Sequence, residues 1–158
     1  MDRRDFLKTV AVSGAAMTIQ RSEAMEILTQ AVNSTGKPDL VAVMGDEPEL
    51  MFQRAIAELG GMKQFVKSGQ KVVVKPNIGW DKVPELAGNT NPKLVAEIVK
   101  QCFAAGAKEV TVFDHTCDDW QKCYKNSGIE SAAKAAGAKV MPAHLESYYR
   151  PVDLSEGK

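Results

Sequence analysis

The stretch Asn91-Pro92-Lys93-Leu94-Val95-Ala96-Glu97-Ile98-Val99-Lys100-Gln101-Cys102-Phe103-Ala104, continued by Ala105-Gly106-Ala107-Lys108 and Glu109-Val110-Thr111-Val112-Phe113-Asp114, decides the fold. Asn91 has the side chain of a helix N-cap, and Pro92 sits where a missing N–H removes no hydrogen bond. Leu94, Val95, Ile98, Val99 and Cys102 recur at i, i+1, i+4, i+5 and i+8, one broad apolar face of a helix. Gly106 offers the left-handed residue that ends such a helix. The β-branched run after it has the length and composition of a buried strand.

The same order of signals recurs on both sides. Ala136-Gly137-Ala138-Lys139 repeats the turn and launches Val140-Met141-Pro142-Ala143. Upstream, Ser68-Gly69 turns the chain into the strand Lys71-Val72-Val73-Val74-Lys75. Glu47-Pro48 opens a helix whose inner face is Met51, Phe52, Ala55, Ile56 and Leu59, and Gly60-Gly61 stops it. Asp39-Leu40-Val41-Ala42-Val43-Met44, ending at Gly45, reads as a first buried strand. Strands alternating with helices predict an α/β fold: an open, mostly parallel sheet with helices on both faces, a Rossmann-like three-layer arrangement.

Composition narrows the function. The 158 residues carry 20 Lys plus Arg against 20 Asp plus Glu, without the basic surplus of a nucleic-acid binder. No apolar run reaches the roughly 18–20 residues of a membrane span. Three cysteines are too few for a disulfide scaffold or a four-cysteine metal site. The N-terminus, Met1-Asp2-Arg3-Arg4-Asp5-Phe6-Leu7-Lys8, is followed by the mildly apolar Thr9 to Ile19 and then Ser22-Glu23-Ala24. An arginine pair before Phe-Leu-Lys, a short apolar region and a small-x-small end are the parts of a twin-arginine export signal. The expected organisation is a signal over residues 1–24, a lead-in over 25–38 and an α/β domain over 39–158. Its partner would be the twin-arginine translocation machinery, and its place periplasmic or otherwise extracytoplasmic. Removing the signal leaves 16 basic against 17 acidic residues, still near neutrality.

Open parallel sheets bind ligands beyond the carboxyl ends of their strands. That rule selects Gly45-Asp46-Glu47, Lys75-Pro76-Asn77 with Gly79-Trp80-Asp81, Asp114-His115-Thr116-Cys117-Asp118-Asp119, and His144. Lys75-Pro76-Asn77 aims a cation and a side-chain amide from one strand end, or simply turns the chain beside a solvated lysine. Thr90-Asn91-Pro92 adds a helix N-terminus, which can face an anion or be an ordinary cap. Asp114, His115 and Cys117 are residue types that ligate transition metals; the alternative is a polar loop capping the next helix. A disulfide between Cys117 and Cys123 needs the first in that loop and the second on the helix. Cys102, on the inner helix face, reads as core. No residue is assigned a catalytic role by pattern alone.

Three segments in this order and spacing carry a resemblance. They are Gly69-Gln70-Lys71-Val72-Val73-Val74-Lys75-Pro76-Asn77, Asn89-Thr90-Asn91-Pro92-Lys93-Leu94-Val95 and Ala105-Gly106-Ala107-Lys108-Glu109-Val110. Over about Asp39 to Val152 the chain resembles the domain of unknown function 362 family, Lys-Pro-Asn being the most specific element. The resemblance implies export by a twin-arginine signal and an association with ferredoxin-type iron–sulfur segments. This chain has no run of four closely spaced cysteines, which argues against an iron–sulfur cluster of its own. Family members continue into a second half, so the 39–158 domain is expected to be truncated at its C-terminus, with a missing half or a redox partner to complete it. By resemblance Lys75, Asn77, Thr90 and Asp114 are the expected ligand-binding residues; by residue type alone, Asp114, His115 and Cys117 are the expected metal ligands. Two readings follow: an exported, redox-associated or metal- or anion-binding enzyme domain, and a non-catalytic binding or assembly module or fragment.

Overall fold

A computed structural model describes residues 38–45, 47–155 and 157. The expected signal and almost all of the lead-in therefore lie outside the described residues. Helix α1 (Pro48–Glu58) comes first, with Glu47 at its N-cap and Pro48 in its first turn. Strand β1 (Lys71–Val74), helix α2 (Pro92–Ala104) and strand β2 (Glu109–Val112) follow. Two short helices, α3 (Trp120–Asn126) and α4 (Ile129–Ala135), lead to strand β3 (Lys139–Val140). The strands form one parallel sheet in the order β1-β2-β3, with Val72 beside Val110 and Val112 beside Val140. This is the α/β class read from the sequence, in a partial form.

Both crossovers step the same way along the sheet. With the usual right hand they land on the same face. Burial agrees: Val72, Val74, Val110, Val112 and Val140 join one core with Val95, Val99 and Cys102 of α2, Cys123 and Tyr124 of α3, and Ile129 and Ala133 of α4. α2 packs between α1 and α4. Val73, pointing to the opposite face, is 60% exposed. Among the described residues the helices that touch the sheet, α2 on β2 and α4 on β3, cover this one face, and no second helical layer is seen.

The expected first strand, 39–44, is not a strand. Leu40 is 85% and Met44 90% exposed, although Val41 and Val43 are half-buried in strand-like alternation. The pattern is present, but no described strand bonds to it, and an extended segment without a ladder gains little from its period-two pattern. β3 is also shorter than expected. Met141 N still donates to Val112 O at 3.0 Å, but Pro142 has no N–H to continue the ladder.

The two Ala-Gly-Ala-Lys turns are one device used twice. At Gly106 (φ +104°) the amide donates to Phe103 O at 2.9 Å and Ala107 N to Cys102 O at 3.0 Å. At Gly137 (φ +96°) the amide donates to Lys134 O at 2.9 Å and Ala138 N to Ala133 O at 3.0 Å. Each pair is the Schellman arrangement that satisfies the last carbonyls of a helix. Gly106 has a second constraint, because a Cβ there would stand 3.1 Å from the Ser68 backbone. Gly106→Ala therefore combines left-handed strain with a backbone clash, and should lower stability by about 1–3 kcal/mol. The check is the shift of the urea midpoint at unchanged m-value.

Candidate functional site

Lys75 and Asp114 follow neighbouring strands, β1 and β2, at their carboxyl ends. The Lys75 ammonium pairs with Asp114 Oδ1; its side chain is 60% exposed, whereas that of Asp114 is 5% exposed. Asp114 Oδ2 accepts the Ile78 backbone N–H at 2.7 Å. A buried carboxylate is tolerable only when paired and hydrogen-bonded, and both of its oxygens are engaged here. The main chain of Asp114 is also held. Its N–H donates to Tyr124 Oη at 2.7 Å, and its carbonyl shares the Tyr124 hydroxyl proton (2.9 Å) with Met141 O (3.1 Å). One phenol on α3 thus joins the end of β2 to the end of β3.

Asn77 and Thr90 are brought together, on one another. Asn77 N donates to Thr90 Oγ1 and Thr90 N to Asn77 O, both at 2.9 Å. The Asn77 amide reaches Gly88 O at 3.1 Å, and its Oδ1 accepts Gly79 N at 3.1 Å. Asn89 bridges Trp80 N (3.1 Å), Trp80 O (2.9 Å) and Lys82 O (3.3 Å) in the same way. These side chains shape the loop between β1 and α2. Asn91 caps α2 by accepting Lys93 N at 2.9 Å, the ordinary role of that residue.

The loop after β2 divides its residues. His115 is exposed and lies 6.0 Å, ring to ring, from Tyr149; with Glu146, Arg150 and Pro151 they line an open cleft of about 500 Å³. Cys117 is exposed, and its N–H and that of Asp118 both donate to Gly79 O, at 2.9 and 3.1 Å. Asp119 caps α3 through Lys122 N at 3.0 Å. Asp114, His115 and Cys117 do not assemble a ligand set: among the described residues no three His, Cys, Asp or Glu side chains group to hold a metal. The capping alternative is the geometry observed at Asp119. His144 stacks on Trp120 at 4.7 Å with the rings 9° apart, and its Nδ1 is buried without a hydrogen-bond partner.

Sequence reasoning missed Tyr124 and Trp120, the aromatic pair behind the site, whose rings meet edge-on at 6.0 Å. The signal was present, since Trp120, Cys123, Tyr124 and Ser127 fall at i, i+3, i+4 and i+7 of one helical face. It also missed Glu97, buried on α2, whose Oε1 accepts from Gln53 at 2.9 Å and Gln101 at 2.8 Å. Cys102 is core as expected, and burial pushes its thiol up.

Burial pushes the Tyr124 phenol above its usual value of 10.0, partly opposed by its hydrogen bond to the Asp114 backbone. The folded protein thus favours the neutral phenol more than the unfolded chain does. The stabilisation is full below the unfolded pKa and is lost as pH rises through the higher folded one. Tyr124→Phe leaves a buried Asp114 N–H unsatisfied and should cost about 1–3 kcal/mol near neutral pH. Denaturant titrations from pH 8 to about 11.5 should show this gap between the two proteins narrowing at the alkaline end.

No curated protein and no solved structure matches the chain. The model of a family described as a domain of unknown function, DUF362, matches residues 72–158, from within β1 through every site residue named above. The match spans more than half of the sequence and begins later than the expected Asp39, so the chain belongs to the DUF362 family.

Proposed function

We propose that this domain binds a small anionic ligand at the carboxyl edge of its sheet, with Lys75 as the group that meets it. The observation that carries the reading is the Lys75–Asp114 pair. A buried carboxylate holds the root of the site, while the lysine it pairs with stays largely exposed at a strand end. Asp114 fixes the ammonium, so a ligand anion meets a charge that is already positioned. The loop built by Asn77, Asn89 and Thr90 keeps the main chain around Lys75 in one shape. The His115–Arg150 cleft adds a second cation near the loop that carries Asp114. Metal ligation by Asp114, His115 and Cys117 finds no support in this arrangement, because both Asp114 oxygens already have partners.

Lys75→Gln should weaken binding of a small phosphate or carboxylate by about 1.5–3 kcal/mol, the worth of a charged hydrogen bond. Calorimetric titration with inorganic phosphate and a series of small carboxylates provides the measurement. Equal affinities for the wild-type and Lys75→Gln proteins across the series would refute the reading.

A second reading, a binding or assembly module, is favoured by a separate observation. Leu40, Met44, Val73, Val152 and Leu154 are all exposed, and one sheet face has no described helix on it. Under either reading the export proposal rests on Arg3-Arg4-Asp5-Phe6-Leu7-Lys8. No helix among the described residues is long and apolar enough to cross a membrane. Replacing Arg3 and Arg4 with lysine should leave precursor in the cytoplasm of a bacterial host; fractionation that finds undiminished export would remove the address.

A further inference from the structure

Two of the three cysteines gather about one carbonyl. Gly79 O accepts the Cys117 backbone N–H at 2.9 Å and the Cys123 thiol at 3.6 Å. A Cβ on Gly79 would stand 3.7 Å from Cys117 Sγ, so that thiol lies against the same residue. Both cysteines are free. Cys117 is exposed on the loop after β2, whereas Cys123 is fully buried in the first turn and a half of α3. The loop-and-helix placement that a bridge requires is therefore present, and the chemical division of labour is that of an attacking and a resolving thiol. Burial pushes the Cys123 thiol up, with the charges of Asp118, Asp81 and Asp119 adding to it and the Asp118 backbone hydrogen bond opposing it; the accessible Cys117 therefore reacts first.

We propose that Cys117 and Cys123 form a thiol–disulfide exchange site that takes a low-molecular-weight disulfide, such as oxidised glutathione, as its co-reactant. The Cys117 thiolate attacks one sulfur of the small disulfide, forming a mixed disulfide and expelling one thiolate, which takes up the Cys117 proton. The Cys123 thiolate then attacks Cys117 Sγ, forming the intramolecular bond and expelling the second thiolate, which takes up the Cys123 proton. The chain loses two electrons and two protons, and the small disulfide gains both. The product ties the loop after β2 to α3 across the Gly79 carbonyl and withdraws the Cys123 S–H from it. Gly79 follows directly on Ile78, whose N–H holds Asp114, so the oxidised bridge bears on the loop that shapes the strand-end site. The proposal does not depend on the ligand read for Lys75.

The test uses the full chain, reduced, freed of reductant and exposed to oxidised glutathione. Intact mass should show the loss of two hydrogens without a retained adduct, with two reduced glutathiones released per chain. Alkylation after denaturation should then label Cys102 alone, and peptide mapping should recover the Cys117–Cys123 link. Cys123→Ser should stop at one glutathione on Cys117, and Cys117→Ser, at an exposed position, should take up none. A wild-type protein that keeps its glutathione on Cys117 with Cys123 still alkylatable, fails to react, or links through Cys102 or between chains would overturn the proposal. Because the wild-type protein alone separates these outcomes, a folding defect in either variant leaves the test decisive.

Discussion

The Asp114 carboxylate is the interaction on which the carboxyl edge of the sheet depends. It sits at the end of β2 and is nearly excluded from water, so its oxygens require a cation and a donor as partners. Lys75 supplies the first and the Ile78 amide the second. Both come from the segment after β1, so one side chain fixes the start of that loop in two places. The main chain of the same residue is clasped by Tyr124, which also reaches the end of β3. All three strand ends are thereby referred to a single residue. Removing its side chain leaves an unpaired lysine and a buried amide without an acceptor; removing Lys75 leaves a buried carboxylate with only one donor. The pair is consequently the support of the edge, and it leaves the Lys75 side chain largely exposed there.

Most of the fold was legible in sequence because it rests on local signals. The α2 face, its Asn91-Pro92 start and the glycine turns each depend on a few adjacent residues, and each appears where the pattern places it. The strand 39–44 was misread because strand existence is not local. Its alternation is present, but a strand is defined by a neighbour that the pattern does not supply. The break between α3 and α4 was equally invisible as a fold element. It turns on Ser127, whose Oγ donates to Tyr124 O and accepts from Ile129 N, and on the left-handed Gly128.

The candidate site was legible in its residues but not in the contacts they make. The strand-end rule selects Lys75, Asn77, Asp114, His115 and His144 from topology alone. Which of them face solvent and which serve the main chain depends on distances of a few ångströms across different loops. Asn77 and Thr90 looked like ligand-facing polar groups. Their side chains serve the loop's main chain, Thr90 Oγ1 accepting from Asn77 N and the Asn77 amide bonding Gly88 O and Gly79 N, because a loop that leaves a strand at Pro76 has few ladder partners for its backbone groups. Asp119 likewise caps a helix. What remains outward at this edge is of mixed charge, Lys75 and Arg150 beside the exposed Glu146, Asp118 and Asp119.

Among the described residues, the sheet face without a helix and the unpaired 39–44 segment are two aspects of one geometry. The helices stand in the order α4, α2, α1, in step with β3, β2, β1. α2 crosses from β1 to β2, and α3 with α4 from β2 to β3; α1 therefore stands over the outer flank of β1. A parallel strand feeding α1 would take the place beside β1, and residues 39–44 immediately precede that helix. Their exposed members, Leu40, Ala42 and Met44, alternate with the half-buried Val41 and Val43. Parallel sheets are stable when both faces are covered, because their strands are apolar on both sides. Here Val73 shows that apolar second side, and the edge strand that bears it is short and flanked by Lys71 and Lys75, which discourages indiscriminate pairing. The same lysine that stands beside the end of β1 is the one that Asp114 holds, so the charge that discourages pairing at that edge also marks the site.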